Sequence, residues 1–378
     1  MKSAIFLRNS IESFLYQQLA KPLFFLAKPE AIHRQMIGFG KSLGAHRFGQ
    51  ALTAAFFNFE DSSLEQNILG IHFSNPIGLA AGFDKNGALT SILGSVGFGF
   101  MEIGSVTGEQ CDGNEGERLW RLKKDKSLIV NYGLANDGAE AIAKRVAISY
   151  KSIPVGISIA ATNSQKTADE LGAIRDFTKA YAIFARENIG DYFTINISCP
   201  NAFGGETFLK ADRLEHLLKT ITEAKKLYHS TKPIFLKLAA NLNEQELDDI
   251  IVVARRYTIH GFICSNLQKI RPTHLRNKPQ GGLSGMSVQK ISTELIRSLY
   301  KKTKGEFIII GVGGIFSAAD AYEKIKAGAT LLQLITGMIY NGPQLISEIN
   351  AGLVELLKAD GYTHINQAIG KDSIYNNS

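Results

Sequence analysis

The stretches F-I-I-I-G-V-G-G (Phe307–Gly314) and, one unit later, T-L-L-Q-L-I-T-G (Thr330–Gly337) each run a short apolar segment into a glycine-bearing turn. Segments this short, bounded by turn residues, suit strands buried on both faces of a parallel sheet. Working outward, similar runs recur roughly every 25 to 40 residues from Leu69 onward, with helical segments between them. The candidate strands are Ile77–Ala80, Phe100–Ile103, Val155–Ile159, Phe193–Ile197, Ile234–Leu238, Gly261–Cys264, Phe307–Ile310 and Thr330–Leu334. Eight parallel strands, each leading to a helix, describe an α/β protein of the (β/α)8 TIM barrel class, whose usual length of about 250 residues leaves room here for insertions. The expected organisation is an N-terminal amphipathic helical extension over residues 1–65 and one barrel over 66–378.

Composition narrows the remaining classes. The chain of 378 residues is 45% hydrophobic and 20% charged, with 36 Gly and 9 Pro, which excludes a disordered or collagenous chain. Three cysteines, Cys111, Cys199 and Cys264, are too few and too irregularly spaced for a disulfide framework or a zinc site, so a reducing compartment and no metal are expected. The net charge of +7 is concentrated at the start, where residues 1–60 hold seven Lys/Arg against three acids and nine of the 22 phenylalanines. No nucleic-acid-binding motif accompanies that charge, so no nucleic-acid partner is expected.

No apolar run there reaches the roughly 18 residues of a spanning helix, and Arg8, Glu12, Gln17, Gln18 and Lys21 interrupt what would be a signal peptide. The pattern instead predicts short amphipathic helices: one from about Ile5 to Leu26 broken near Pro22, one opening at Pro29, and one around Phe48–Phe57. Phenylalanine on one side and Lys/Arg on the other suits a helix lying in the lipid headgroup layer, and equally a helical lid packed on the barrel.

Chemistry in such barrels sits at the C-terminal strand ends. The first strand runs into Ala80-Ala81-Gly82-Phe83-Asp84-Lys85, where small residues admit a flat ligand and a lysine follows. The fourth runs into Asn196-Ile197-Ser198-Cys199-Pro200-Asn201, the fifth into Lys237, and the sixth into Ser265-Asn266. Gly313-Gly314 after the seventh and Thr336-Gly337 after the eighth match the phosphate site of these barrels. A flat ring, a phosphate and a lysine able to stabilise charge on a reduced ring together point to flavin mononucleotide, FMN.

With those pieces assembled, the chain resembles the dihydroorotate dehydrogenases. The resemblance rests on N-P-I-G-L-A-A-G-F-D-K-N-G (Asn75–Gly87), E-I-G-S-V-T (Glu102–Thr107), R-L-W-R-L (Arg118–Leu122), N-I-S-C-P-N (Asn196–Asn201), G-G-L-S-G (Gly281–Gly285) and I-G-V-G-G-I (Ile310–Ile315). A-K-P-E-A-I-H (Ala27–His33) is similar to the helical extension of the membrane-associated, quinone-using class. The resemblance implies FMN-dependent oxidation of dihydroorotate to orotate in pyrimidine (UMP) biosynthesis, with electrons passed to a quinone. It implies a peripheral membrane protein, on the cytoplasmic side of the inner (plasma) membrane if the source is bacterial. Carried over residue by residue, it implies flavin contacts from Ala81, Gly82, Lys85, Ser105, Ser158, Asn196, Lys237, Ser265, Gly285, Gly313, Gly314, Ile335, Thr336 and Gly337. Substrate contacts fall on Lys85, Asn131, Gly133, Leu134, Asn196, Asn201 and Asn266, and Cys199 takes the place of the catalytic base.

Several positions depart from the family pattern. Quinone-using members commonly carry serine where Cys199 stands, and cysteine belongs to the soluble classes. Ile129–Asn136 stands where the family has I-N-R-x-G-F-N-N, so Val130 replaces a substrate-binding asparagine in direct register, and a one-residue slip brings Asn131 there. Ser158 stands where a flavin-facing asparagine is expected. These departures leave room for another planar substrate, another acceptor, or a flavin-binding membrane-associated protein without this activity. Cys111, Cys264, His33 and Trp120 read as structural.

Overall fold

All eight apolar runs form strands, and they close on one another. In the computed structural model, which describes residues 2–149, 151–198, 207–275 and 278–374, these are β1 (Ile77–Leu79), β2 (Phe100–Val106), β3 (Val155–Ile159), β4 (Tyr192–Asn196), β5 (Ile234–Lys237), β6 (Gly261–Cys264), β7 (Ile308–Val312) and β8 (Leu331–Leu334). Each pairs in parallel with its sequence neighbour, and β8 pairs with β1 to complete the barrel. The strands are buried along both faces, which is why they read as unbroken apolar runs and not as alternating ones.

The N-terminal end of the barrel is plugged. Gln66–Ile68 and Ile71–Phe73 form an antiparallel hairpin through Leu69 and Gly70, both at positive φ as a two-residue hairpin turn requires. Ile68 and Phe73 pack there with Phe100, Tyr192, Phe235, Ile263, Ile310 and Leu331. The opposite end is partly roofed by an inserted antiparallel sheet of Leu119–Leu122, Ser127–Val130 and Gly282–Gly285, with the middle segment in the centre.

One barrel expectation fails at the first unit. Residues 90–97, after β1, run as successive turns and not as a helix. Gly87, Gly94 and Gly97, the last at φ +99, lie in or beside this stretch and disfavour a continuous helix.

The extension comprises α1 (Lys2–Leu15), a π-helical segment (Tyr16–Ala20), α2 (Lys21–Phe24), α3 (Pro29–Gly44) and α4 (Arg47–Phe57). The expected break near Pro22 is absent. The Lys21 N–H reaches Tyr16 O, widening the turn just ahead of the residue that has no N–H to give, so the helix carries on to Phe24. The helix ends at Phe24, and after a turn Lys28 leaves the helical region (ψ 133) just ahead of Pro29.

One side of the extension is tied to the barrel. Arg8 donates to Ser347 Oγ at 2.7 Å, Tyr16 Oη donates to Ile339 O at 2.7 Å, and Gln17 donates to Tyr340 O at 3.0 Å. The other side is apolar and open: of the nineteen exposed large hydrophobic residues among the described residues, twelve precede Phe57, including Phe14, Leu19, Leu23 and Phe48. Such concentration is unlike the scattered exposure of an ordinary surface. No helix among the described residues is long and apolar enough to cross a membrane.

The barrel floor offers a direct test of this packing. A Cβ added at Gly78 would lie 2.4 to 2.6 Å from three ring atoms of Phe100. Gly78→Ala is therefore expected to destabilise the protein by about 1–3 kcal/mol through overpacking. Denaturant unfolding that shows no lowered midpoint would contradict this account of the floor.

Candidate functional site

A cavity of about 470 Å³ runs from the gap between the extension and the barrel into the barrel mouth. The C-terminal strand ends supply its inner wall: Ala81, Gly82 and Lys85 after β1, Ser105 on β2, Asn196 on β4, Lys237 on β5, Ser265 and Asn266 after β6, Gly313 and Gly314 after β7, and Ile335, Thr336 and Gly337 after β8. Gly285, from the inserted sheet, joins them. Thus every residue expected to touch FMN lines the cavity except Ser158, whose Oγ lies 2.8 Å from that of Ser105.

The polar rim is pre-set by its own hydrogen bonds. Asn196 donates to Ser105 Oγ at 2.9 Å, while Asn266 donates to Asn196 Oδ1 at 3.1 Å and to Ser198 O at 2.8 Å. These bonds fix the amide orientations before any ligand arrives. Beneath them Lys237 is buried, and Glu102, fully enclosed in the barrel, accepts from Thr194 Oγ1 at 2.8 Å. Burial pushes the Glu102 carboxyl up, against the pull of the Lys237 charge.

The glycines form a cradle. Gly313 and Gly314 sit at φ +112 and +69, and a Cβ on Gly314 would lie 2.3 Å from Gln289 Cβ. A Cβ on Gly285 would lie 2.5 Å from Lys126 O. Backbone this tightly held beside Thr336, with two lysines facing the same space, fits a flat phosphorylated ring system.

Lys85 is the second cation of the site. Its Nζ sits 3.8 Å from the ring centre of Tyr132. Burial lowers its ammonium to about 8, with Glu30 and Asp84 pulling it back up and Arg118 pushing it further down. Gly133 and Leu134 line the cavity close by, as does Val130. Asn131 does not line it, and its Oδ1 accepts from Asn114 Nδ2 at 2.9 Å. Cys199 and Asn201 lie outside the described residues.

Toward the extension the cavity turns apolar, walled by Phe24, Phe25, Ile32, Met36, Leu43 and Phe57, with a few polar groups among them. Tyr16 and Arg121 face it, and His33 places its Nε2 2.8 Å from Phe83 O. Burial, helped by the Lys85 charge, lowers His33 to about 4, so its ring is neutral near pH 7. Sequence reasoning treated His33 as structural and passed over Arg121, Tyr16 and Tyr132. Strand alternation in R-L-W-R-L was the available signal for Arg121: Leu119 and Arg121 share the cavity face, while Trp120 packs on the other with Leu122 and Ile129. Cys264 is buried with its thiol pushed up, and the buried Cys111 donates to Gly133 O, as structural cysteines do. Among the described residues no cluster of His, Cys, Asp or Glu could hold a metal ion.

Comparison with known proteins agrees with this geometry. The family described as Dihydroorotate dehydrogenase matches residues 63–357. A protein of Gloeobacter violaceus named Dihydroorotate dehydrogenase (quinone) is 37% identical over 358 residues, covering 93% of this chain and 98% of its own length. A Nostoc relative of the same name is 38% identical over 381 residues, covering 94% and 98%. The crystal structure of DHODH from Eimeria tenella in complex with ferulenol superposes with a TM-score of 0.82 at 28% identity, over 92% of this chain and 96% of that one.

The lowered Lys85 value has a measurable consequence. Below about pH 8 the ammonium is charged and can pair with a carboxylate; above it, binding must first restore the proton. Affinity for orotate is expected to be flat below that pH and to fall by up to about tenfold per unit above it. Lys85→Met should weaken binding and flatten the profile. A steep alkaline loss that survives this substitution would assign the titration to another group.

Proposed function

We infer that this chain, which belongs to the dihydroorotate dehydrogenase family, oxidises dihydroorotate to orotate in pyrimidine biosynthesis and passes the electrons to a quinone. The observation that carries this reading is a continuous cavity whose inner end is polar and cationic and whose outer end is apolar and opens along the helical extension. A planar carboxylate and a lipophilic acceptor need those two environments, and the space between them suits a flavin that serves both.

The residues divide the work accordingly. Gly285, Gly313, Gly314 and Thr336 would hold the phosphate of FMN, Ala81 and Gly82 would lie against its ring, and Lys237 would face the ring's polar edge. When bound, FMN supplies the two-electron acceptor that proteins' own side chains lack. Lys85 holds the substrate carboxylate, and Asn196, Asn201 and Asn266 present amides to its carbonyl and N–H groups. Cys199 takes the proton that the substrate gives up, since a thiol with an ordinary pKa near 8.5 needs only modest help to act as a base. Arg121 is the donor available to a quinone carbonyl in the apolar segment, since the one N–H of the neutral His33 ring is given to Phe83 O. Residues 1–65 act as the membrane-associated extension and 66–378 as the catalytic barrel, with the protein peripheral to the membrane, on the cytoplasmic side if bacterial.

Turnover of purified holoenzyme with dihydroorotate is expected with a quinone analogue and not with fumarate or NAD. Cys199→Ala should slow dihydroorotate-dependent flavin reduction by about two to four orders of magnitude while FMN stays bound. Val130 on the cavity wall, where an amide was expected, favours the second reading of a different planar substrate. Absence of any turnover with dihydroorotate would select it.

The exposed apolar face makes a separate prediction. Phe14, Leu19 and Leu23 are 64%, 60% and 66% exposed, and inserting each in lipid is worth about 1.5–3 kcal/mol. Replacing all three with Gln should cut vesicle binding at least about a hundredfold and depress turnover with a long-chain quinone, while turnover with a soluble dye persists. Unchanged flotation of the triple variant would remove this face from the membrane.

A further inference from the structure

The substrate lysine and the helical extension are joined by a stack of side chains that neither the flavin cradle nor the acceptor path requires. Glu30, in the first turn of α3, pairs with the Arg118 guanidinium through Nη2, with Nε at 3.4 Å from its other oxygen. Both side chains are about four-fifths buried, at 23% and 19% exposure, so solvent screens the pair less than it would on the surface. The Arg118 guanidinium lies 5.3 Å from the ring centre of Tyr132, the same ring that Lys85 Nζ approaches to 3.8 Å. Arg118 is fixed further by donating to Asp112 O at 2.8 Å, and its own carbonyl accepts from Asn131 N.

We propose that Glu30 and Arg118 are positioning residues for Lys85: the extension's carboxylate holds the guanidinium and Tyr132 in place, and together they seat and stabilise the ammonium that binds the substrate carboxylate. The proposal rests on Lys85 being the substrate cation. Two cations close to one aromatic ring repel each other, and the nearby Glu30 charge makes the arrangement tolerable. Other charges bearing on this stack are Asp84 from the β1 loop and Arg34 from α3, while His33 is present as a neutral ring. Partial burial alone would raise Glu30, but the Arg118 hydrogen bond and the charges of Arg118, Arg34 and Lys85 hold it below its ordinary value, so it is ionised wherever the site works. The extension therefore contributes to the substrate half of the cavity as well as to the acceptor half.

The test uses full-length holoenzyme with bound FMN, orotate titrations from about pH 6 to about pH 9.5, and steady-state turnover with a soluble dye. With Glu30→Gln, the pH above which orotate binding weakens should drop by about half a unit to one unit, and KM for dihydroorotate should rise more than kcat falls. Glu30→Asp should recover most of the loss. Tyr132→Leu should raise KM about five- to thirtyfold, the worth of a partly desolvated cation–π contact, whereas Tyr132→Phe should stay close to the parent. Should Glu30→Gln lose the fold, the Tyr132 pair decides alone, because Leu and Phe differ only in the ring. An unmoved pH profile in Glu30→Gln, or equal KM values for Tyr132→Leu and Tyr132→Phe, would overturn the proposal. Lys85→Met separates the two levels: if it leaves orotate binding intact, the role of Lys85 itself is wrong.

Discussion

Closure of eight parallel strands is the constraint on which everything else depends. Because all run in one direction around a closed ring, all eight C-terminal ends meet at one rim, and residues as distant in sequence as Gly82 and Thr336 become neighbours. The opposite rim is filled with aromatic and aliphatic side chains under a hairpin, so the barrel has one usable face. The insertions that build the roof, Leu119–Val130 and Gly282–Gly285, both leave from strand ends on that face, after β2 and β6.

The rim alone does not make a site, because cations in open water bind carboxylates weakly. The inserted sheet and the extension supply the missing walls. Their cost is visible in the perturbed groups: burial lowers Lys85 and His33. Such shifts in two groups lining one cavity are characteristic of functional sites. The unpaired side of the extension is the other half of the same economy, since helices that wall an apolar channel on one face leave apolar residues on the next.

Much of this was legible in sequence, for identifiable reasons. Strands buried on both faces read as continuous apolar runs, and all eight lie within a residue or two of their expected positions, β2 and β7 reaching further at their C-terminal ends. Glycines at positive φ and lysines at strand ends marked the cradle, because both have few other uses there. What escaped was tertiary. Tyr132 and Arg118 gain their roles from α3, 88 positions away in the case of the Glu30 contact. Residues 90–97 lost their helix to glycine, and Pro22 was absorbed by a π turn that no local pattern announces. The Val130 and Asn131 register was open in sequence because a one-residue slip exchanges the faces of a strand. The pairing of Val130 with Leu119 and Gly282 holds Val130 on the cavity side.

The two lysines of the site are supported from different directions, and this separates their behaviour. Lys237 stands on β5 in the barrel wall, buried, with its charge acting on the enclosed Glu102 carboxyl. Lys85 stands on a loop after β1 and is held from the side, by a ring from the roof and a charge from the extension. The position of the extension therefore bears on Lys85 through the Glu30 charge. The extension thus bears on the cavity at two cations, on Lys85 through the Glu30 charge and on Arg121 through Ala27 O and the Phe25 ring.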